Sequence, residues 1–218
     1  MGFQTSPVAA AATYFTLSDG KCRIRLREAT PDSVSRVTKD GNTVHEIVHD
    51  QFTGLIRSIE VVDTDYGRQW RITFVDAPSF YVLTLKYSSN YAKTFIQALC
   101  NPVWDATLET TVKPYSFSPK DDASRVITGC TVLQRNQKIE RLYCSSINPV
   151  DGKTILPDLE KVKVRGQEIW DDTKQMDFLF AEFQNKVSFK LASTPMPAKT
   201  YDSIVASEKE AQNAELPF

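Results

Sequence analysis

Two patterns in this chain place reactive side chains at a spacing that chemistry can use. The first is His45-Glu46-Ile47-Val48-His49. It fits HExxH, in which two histidines one helical turn apart bind zinc and the glutamate activates water. That chemistry needs a helix, and the surroundings argue against one. Asp40-Gly41 precedes the motif, Val44, Ile47 and Val48 are β-branched, and Gly54 follows soon after, which predicts a strand. On a strand both rings point to one side, four residues apart, too far for one tetrahedral metal. The chain holds only these two histidines, and Glu60, itself on an expected strand, is a poor third ligand. The expectation is a paired strand with solvent-facing histidines and no metal site. Zinc peptidase chemistry stays as a minor alternative.

The second pattern interleaves aromatic rings with cations. Proteins that bind single-stranded nucleic acid combine cations that follow the phosphates with rings on which bases stack, each stack contributing about 1–3 kcal/mol. Tyr66, Arg68 and Trp70 cluster at one turn. Lys86, Tyr87 and Tyr91 follow a later strand, and Lys113, Tyr115 and Phe117 alternate along another. Arg57 and Arg71 are expected to face outward from two adjacent strands. Trp70 shares its face with Ile72 and Phe74, and Tyr91 stands at the start of a helix, so core packing competes with stacking at both. No GxSxG and no GxxxxGK[ST] occurs, and the chain has eight glycines in all. The Asp pairs at 121–122 and 171–172 suit turn and cap chemistry. No catalytic residue and no cofactor is assigned, and the chain is expected not to be an enzyme.

The elements that must position these residues run from Phe52 to Arg135. Phe52 to Thr64 reads as a long strand, and Asp65-Tyr66-Gly67 as a turn. Arg68 to Val75 alternates in the period of a strand, and Phe80 to Leu85 reads as a third. Ser88 and Ser89 precede Ala92, Phe95, Ile96 and Leu99, the spacing of a serine-capped helix, which Asn101-Pro102 ends. Thr107 to Phe117 and Ser124 to Arg135 follow as strands. The order β-β-β-α-β-β is that of an OB-like five-stranded β-barrel, so the fold class is mainly β. Ahead of it, Thr13 to Ser18 and Lys21 to Arg27 form a hairpin about Asp19-Gly20, and Ser33 to Thr38 with Thr43 to His49 forms a second. In the first, Lys21, Arg23, Arg25 and Arg27 alternate with Cys22, Ile24 and Leu26, so one face is basic. Behind it, Leu159 to Arg165 suits a short strand. A helix from Asp171 or Asp172 to about Lys190 carries Met176, Leu179, Phe180, Phe183 and Val187 on one face, to pack on the barrel.

The 218 residues carry a formal net charge of −1, with 41% hydrophobic and 24% charged residues, the composition of an ordinary globular protein. Residues 200–218 hold net −3, leaving +2 for the body. A nucleic-acid site must therefore arise from local arrangement. Cys22, Cys100, Cys130 and Cys144 form no CxxC pair and are expected as reduced, mostly buried thiols of a cytoplasmic protein. No membrane span or signal peptide is read, and the match of residues 1–6 to a myristoylation pattern is attributed to chance. The organisation expected is a flexible leader at 1–12 and an OB-like nucleic-acid-binding domain at 13–145. An extension with the packed helix follows at 146–192, then a disordered acidic tail at 193–218.

Asp19-Gly20-Lys21, Asp65-Tyr66-Gly67-Arg68-Gln69-Trp70, Tyr87-Ser88-Ser89 and Lys113-Pro114-Tyr115-Ser116-Phe117 lie between Tyr14 and Phe117. That stretch, about half of the chain, resembles a group of phage-encoded OB-fold single-stranded DNA-binding proteins. The close Glu215-Leu216-Pro217-Phe218 is similar to the tip of bacterial single-stranded DNA-binding proteins, with Glu215 in place of Asp. The resemblance implies a protein that coats single-stranded DNA in replication or recombination, in a host cytoplasm, as a possible homo-oligomer. The tip would recruit replication and repair proteins through an apolar anchor and a terminal carboxylate. The rival expectation is an OB-like assembly module, such as a virion component, that binds protein alone.

Overall fold

A computed structural model describes residues 12–38, 41–76, 79–146, 149–164 and 166–193. The leader through residue 11, and Glu215 to Phe218 with the rest of the expected tail from residue 194, lie outside the described residues.

The first hairpin pairs β1 (Thr13–Ser18) with β2 (Lys21–Leu26), and the second pairs β3 (Val34–Val37) with β4 (Thr43–His49). Asp19 and Gly20 both take positive φ, 51° and 72°, as a two-residue turn between twisted strands requires. The central meander is β5 (Phe52–Thr64), β6 (Gly67–Asp76) and β7 (Ser79–Lys86). Helix α1 (Asn90–Leu99) follows, capped by Ser89, whose Oγ accepts from Ala92 N at 3.2 Å. Then come β8 (Thr110–Phe117), β9 (Ile127–Gln134) and the short β10 (Gln137–Ile139). The expected mainly β architecture and its β-β-β-α-β-β order are therefore present in β5 to β9.

Ten strands form one sheet in the order β10-β9-β8-β5-β6-β7-β1-β2-β4-β3. No ladder among the described residues closes it into a barrel. The free edge of β7 is taken instead by β1, in parallel register, which brings Phe15 and Leu17 into the core. The sheet curls until the β1–β2 turn meets β8: a Cβ on Gly20 would stand 2.7 Å from Ser116 N. One face of the sheet carries the core, with Trp70, Ile72, Phe74, Leu83 and Val112 buried against Phe95, Ile96 and Leu99 of α1.

The remaining chain is looser. β11 (Tyr143–Cys144) pairs with β12 (Thr154–Ile155), and β13 (Glu160–Val164) with β14 (Gln167–Asp171). Helix α2 (Thr173–Phe183) continues through a π-helical turn at Gln184–Ser188 into α3 (Phe189–Ala192). Met176, Leu179, Phe183 and Val187, the expected apolar stripe, join the same core cluster as the sheet. Lys93 of α1 and Asp172 pair at 2.6 Å at the start of α2. No helix among the described residues is long and apolar enough to cross a membrane.

Candidate nucleic-acid interface

Strand register decides which candidate side chains share a surface, because directly paired residues point to the same side of a sheet. The core side is set by Trp70, Ile72 and Phe74, opposite Leu85, Leu83 and Tyr81. The outer side of β6 and β7 then carries Gln69, Arg71 and Thr73 opposite Lys86, Thr84 and Val82. On β5 a bulge between Ile56 and Ser58 places both Arg57 and Ser58 across from Thr73. Arg57, Arg71 and Lys86 thus face outward together. Arg71 Nε is buried with no hydrogen-bond partner, and among the described residues Arg71 and Lys86 enter no salt bridge. Glu60, directly opposite Arg71, forms no ion pair with it.

The same side continues across β1. Thr16 stands beside Thr84 and opposite Arg23, and Ser18 opposite Lys21. One further strand on, Arg23 is opposite Val48, and Arg25 opposite Glu46. The basic face of the first hairpin and the cations of the central meander are therefore parts of one sheet surface. Tyr14, half-buried beside Val82, is a ring on this surface next to the meander's cations. Sequence reasoning missed it. The alternation Tyr14, Thr16, Ser18 was legible, but the parallel pairing of β1 with β7 was not.

Lys113, Tyr115 and Phe117 occupy this side too, through the pairing of Thr53 with Thr111, but on β8. Lys113 is exposed, and its charge helps to hold the Asp50 carboxyl below the usual range, after the stronger effect of Lys21. Tyr115 lies across Gly129, where a Cβ would collide with its ring, and its hydroxyl accepts from Arg141 at 3.2 Å. Phe117 is exposed, its ring centroid 5.9 Å from that of Tyr115.

Of the other candidates, Arg68, Trp70, Tyr87 and Tyr91 belong to the core side, and two need correction. Trp70 is fully buried. It stacks on Tyr87 at 5.5 Å and 12°, meets Phe183 edge-on at 5.2 Å, and donates from Nε1 to the Tyr87 carbonyl at 3.2 Å. Helix α2 occupies the space a base would need. Tyr91 is likewise buried, and its hydroxyl accepts from Gly20 N at 3.0 Å, pinning the first hairpin to α1. Burial raises the pKa of both Tyr87 and Tyr91. Tyr87 is half-buried between Trp70 and Arg68, whose guanidinium lies 4.4 Å above its ring and 5.4 Å from that of Phe180. Tyr66, at the tip of the β5–β6 turn, is exposed.

His45 and His49 sit on β4, a strand, and His45 Nδ1 is 2.8 Å from Ser35 Oγ. Glu46 between them is buried on the opposite side, gripped by Arg23 at 2.8 Å and by both oxygens to Arg36 at 2.9 and 2.8 Å. The helical geometry of HExxH is absent, and no cluster of three His, Cys, Asp or Glu among the described residues could hold a metal ion. Comparison with family models, with curated proteins and with solved structures finds no match.

Proposed function

We propose that the chain binds single-stranded DNA along the outer side of β5, β6, β7 and β1. What supports the reading is the register that gathers Arg57, Arg71 and the exposed Lys86 beside Tyr14 and Thr84, on a sheet face whose paired acid is Glu60. Cations spaced across strands about 4.8 Å apart can follow a phosphate backbone. A tyrosine ring gives a base one apolar surface without reading its edges. The contribution of Trp70 is to brace the sheet from behind, not to stack.

The test is anisotropy of labelled oligo(dT) titrated with the protein at low and high salt. Saturable binding that weakens with salt is expected, because counterions are released from each neutralised phosphate. Arg71→Ala is expected to weaken it about tenfold. Absence of binding at micromolar protein overturns the reading and favours an assembly module that engages protein alone. The acidic tip keeps its proposed part as a docking point for replication proteins. Deleting Pro217 and Phe218 is expected to abolish partner capture while DNA binding persists.

A further inference from the structure

The cations of the central meander account for only part of the basic surface. Beyond β1 the sheet extends into a wing of β2, β4 and β3, and register keeps Arg23, Arg25 and Arg36 on the same side as Arg71. Within the wing the charges are unequal. Glu46 is buried and takes Arg23 and Arg36 as partners. Arg23 is itself largely buried, its side chain 15% exposed, whereas that of Arg36 is 44% exposed. Arg25 and Arg27 are exposed and enter no salt bridge among the described residues.

The buried Glu46 carboxylate holds the Arg23 and Arg36 guanidinium groups in place on this face. These four arginines have two carboxylate partners, Glu46 and the exposed Asp19, which lies 3.3 Å from Arg23, and the excess leaves the wing locally positive in a molecule whose net charge is −1. Thr16, exposed in the middle of β1, leaves the way across open.

We infer that the wing is a second segment of the nucleic-acid path. Arg25 and Arg27 contact phosphates there, Arg36 contributes its exposed edge, and Glu46 with Arg23 are positioning residues. A strand of DNA would run across the β-strands, from Arg57 and Arg71 over Thr16 to Arg25. This inference rests on the proposed function and adds a length to it. A short oligonucleotide fills the meander alone, and a longer one reaches the wing.

The experiment uses the full chain with labelled dT oligonucleotides of about 6 and about 16 nucleotides, within the range of single-strand sites on such folds. The double variant Arg25→Ala/Arg27→Ala is expected to weaken binding of the longer probe about tenfold. The slope of log K against log salt should shrink by about 1.4, near 0.7 for each of two phosphates. Binding of the shorter probe should not change. Lysine at both positions should retain the wild-type slope, because a phosphate contact needs the charge. Unchanged binding of the longer probe, or equal losses on both probes, overturns the inference while the proposed function stands. Failure of the unaltered protein to bind either probe overturns both.

Discussion

At Glu46, burial raises the carboxyl pKa, but the hydrogen bonds and charges of Arg36 and Arg23 outweigh it and hold the pKa below its ordinary value. A carboxyl whose pKa is depressed by folding stabilises the fold above its unfolded pKa, about 4.3, and loses that contribution as pH falls through the folded value. Glu46→Gln is therefore expected to cost about 1–3 kcal/mol at neutral pH and much less at a pH below the depressed folded value. Urea unfolding at the two pH values checks it. A cost that is equal at both would contradict the ion-pair account. The cysteines give a second residue-scale prediction. Burial pushes the thiols of Cys22, Cys100 and Cys130 up to about 12, while Cys144 is half-exposed. A thiol reagent at neutral pH is expected to modify Cys144 alone until the protein is unfolded, because the thiolate is the reactive form.

At the scale of elements, two attachments hold the sheet in its curl. The β1–β2 turn is fastened by Gly20, whose N–H donates to Tyr91 and whose missing Cβ lets Ser116 approach. Gly20→Ala meets both a positive φ and a clash with backbone. It is expected to destabilise by about 1–3 kcal/mol, read as a lower thermal midpoint. Helix α2 is the second attachment. Leu179 is fully buried in the core cluster it shares with Trp70, so Leu179→Ala is expected to cost about 2–5 kcal/mol. Native Trp emission should stay unquenched by oligo(dT) at Trp70, since Phe180 and Phe183 cover it. Tyr143 strengthens this attachment, with its hydroxyl donating to Glu182 and accepting from Lys186.

The local order of these elements was legible in the sequence, because alternation, turn residues and a serine cap are signals of short range. Trp70 shows where that reading stops. Its alternation with Ile72 and Phe74 fixed a face, yet only the return of α2, more than a hundred residues later, decides that the face is covered. The expected strand at Leu159 to Arg165 appears as β13, but its partner β14 has no strong alternation and was not read. The helix expected to run unbroken to Lys190 widens into a π turn after Phe183, and Phe189 beyond it is exposed. Apolar spacing alone does not encode that step.

For the molecule as a whole, charge balance hides the property that matters. A net charge of −1 gives no bulk attraction to nucleic acid, so the proposed binding would have to rest on a local attraction. The insertion of β1 beside β7 supplies the locality, by joining two basic surfaces that lie far apart in sequence. Neither could be assigned to the other before strand order was known. Arg68, Trp70 and Tyr87 go to the opposite side of the sheet, under α2, where they stabilise it. Most directly, the central claim is tested by arginine modification with phenylglyoxal, with and without oligo(dT), read by mass spectrometry. Arg71 and Arg25 are predicted to lose reactivity when DNA is bound. Arg135, in the turn between β9 and β10, should not change. Protection of Arg135 but not of Arg71, or no protection anywhere at saturating oligonucleotide, would contradict the account.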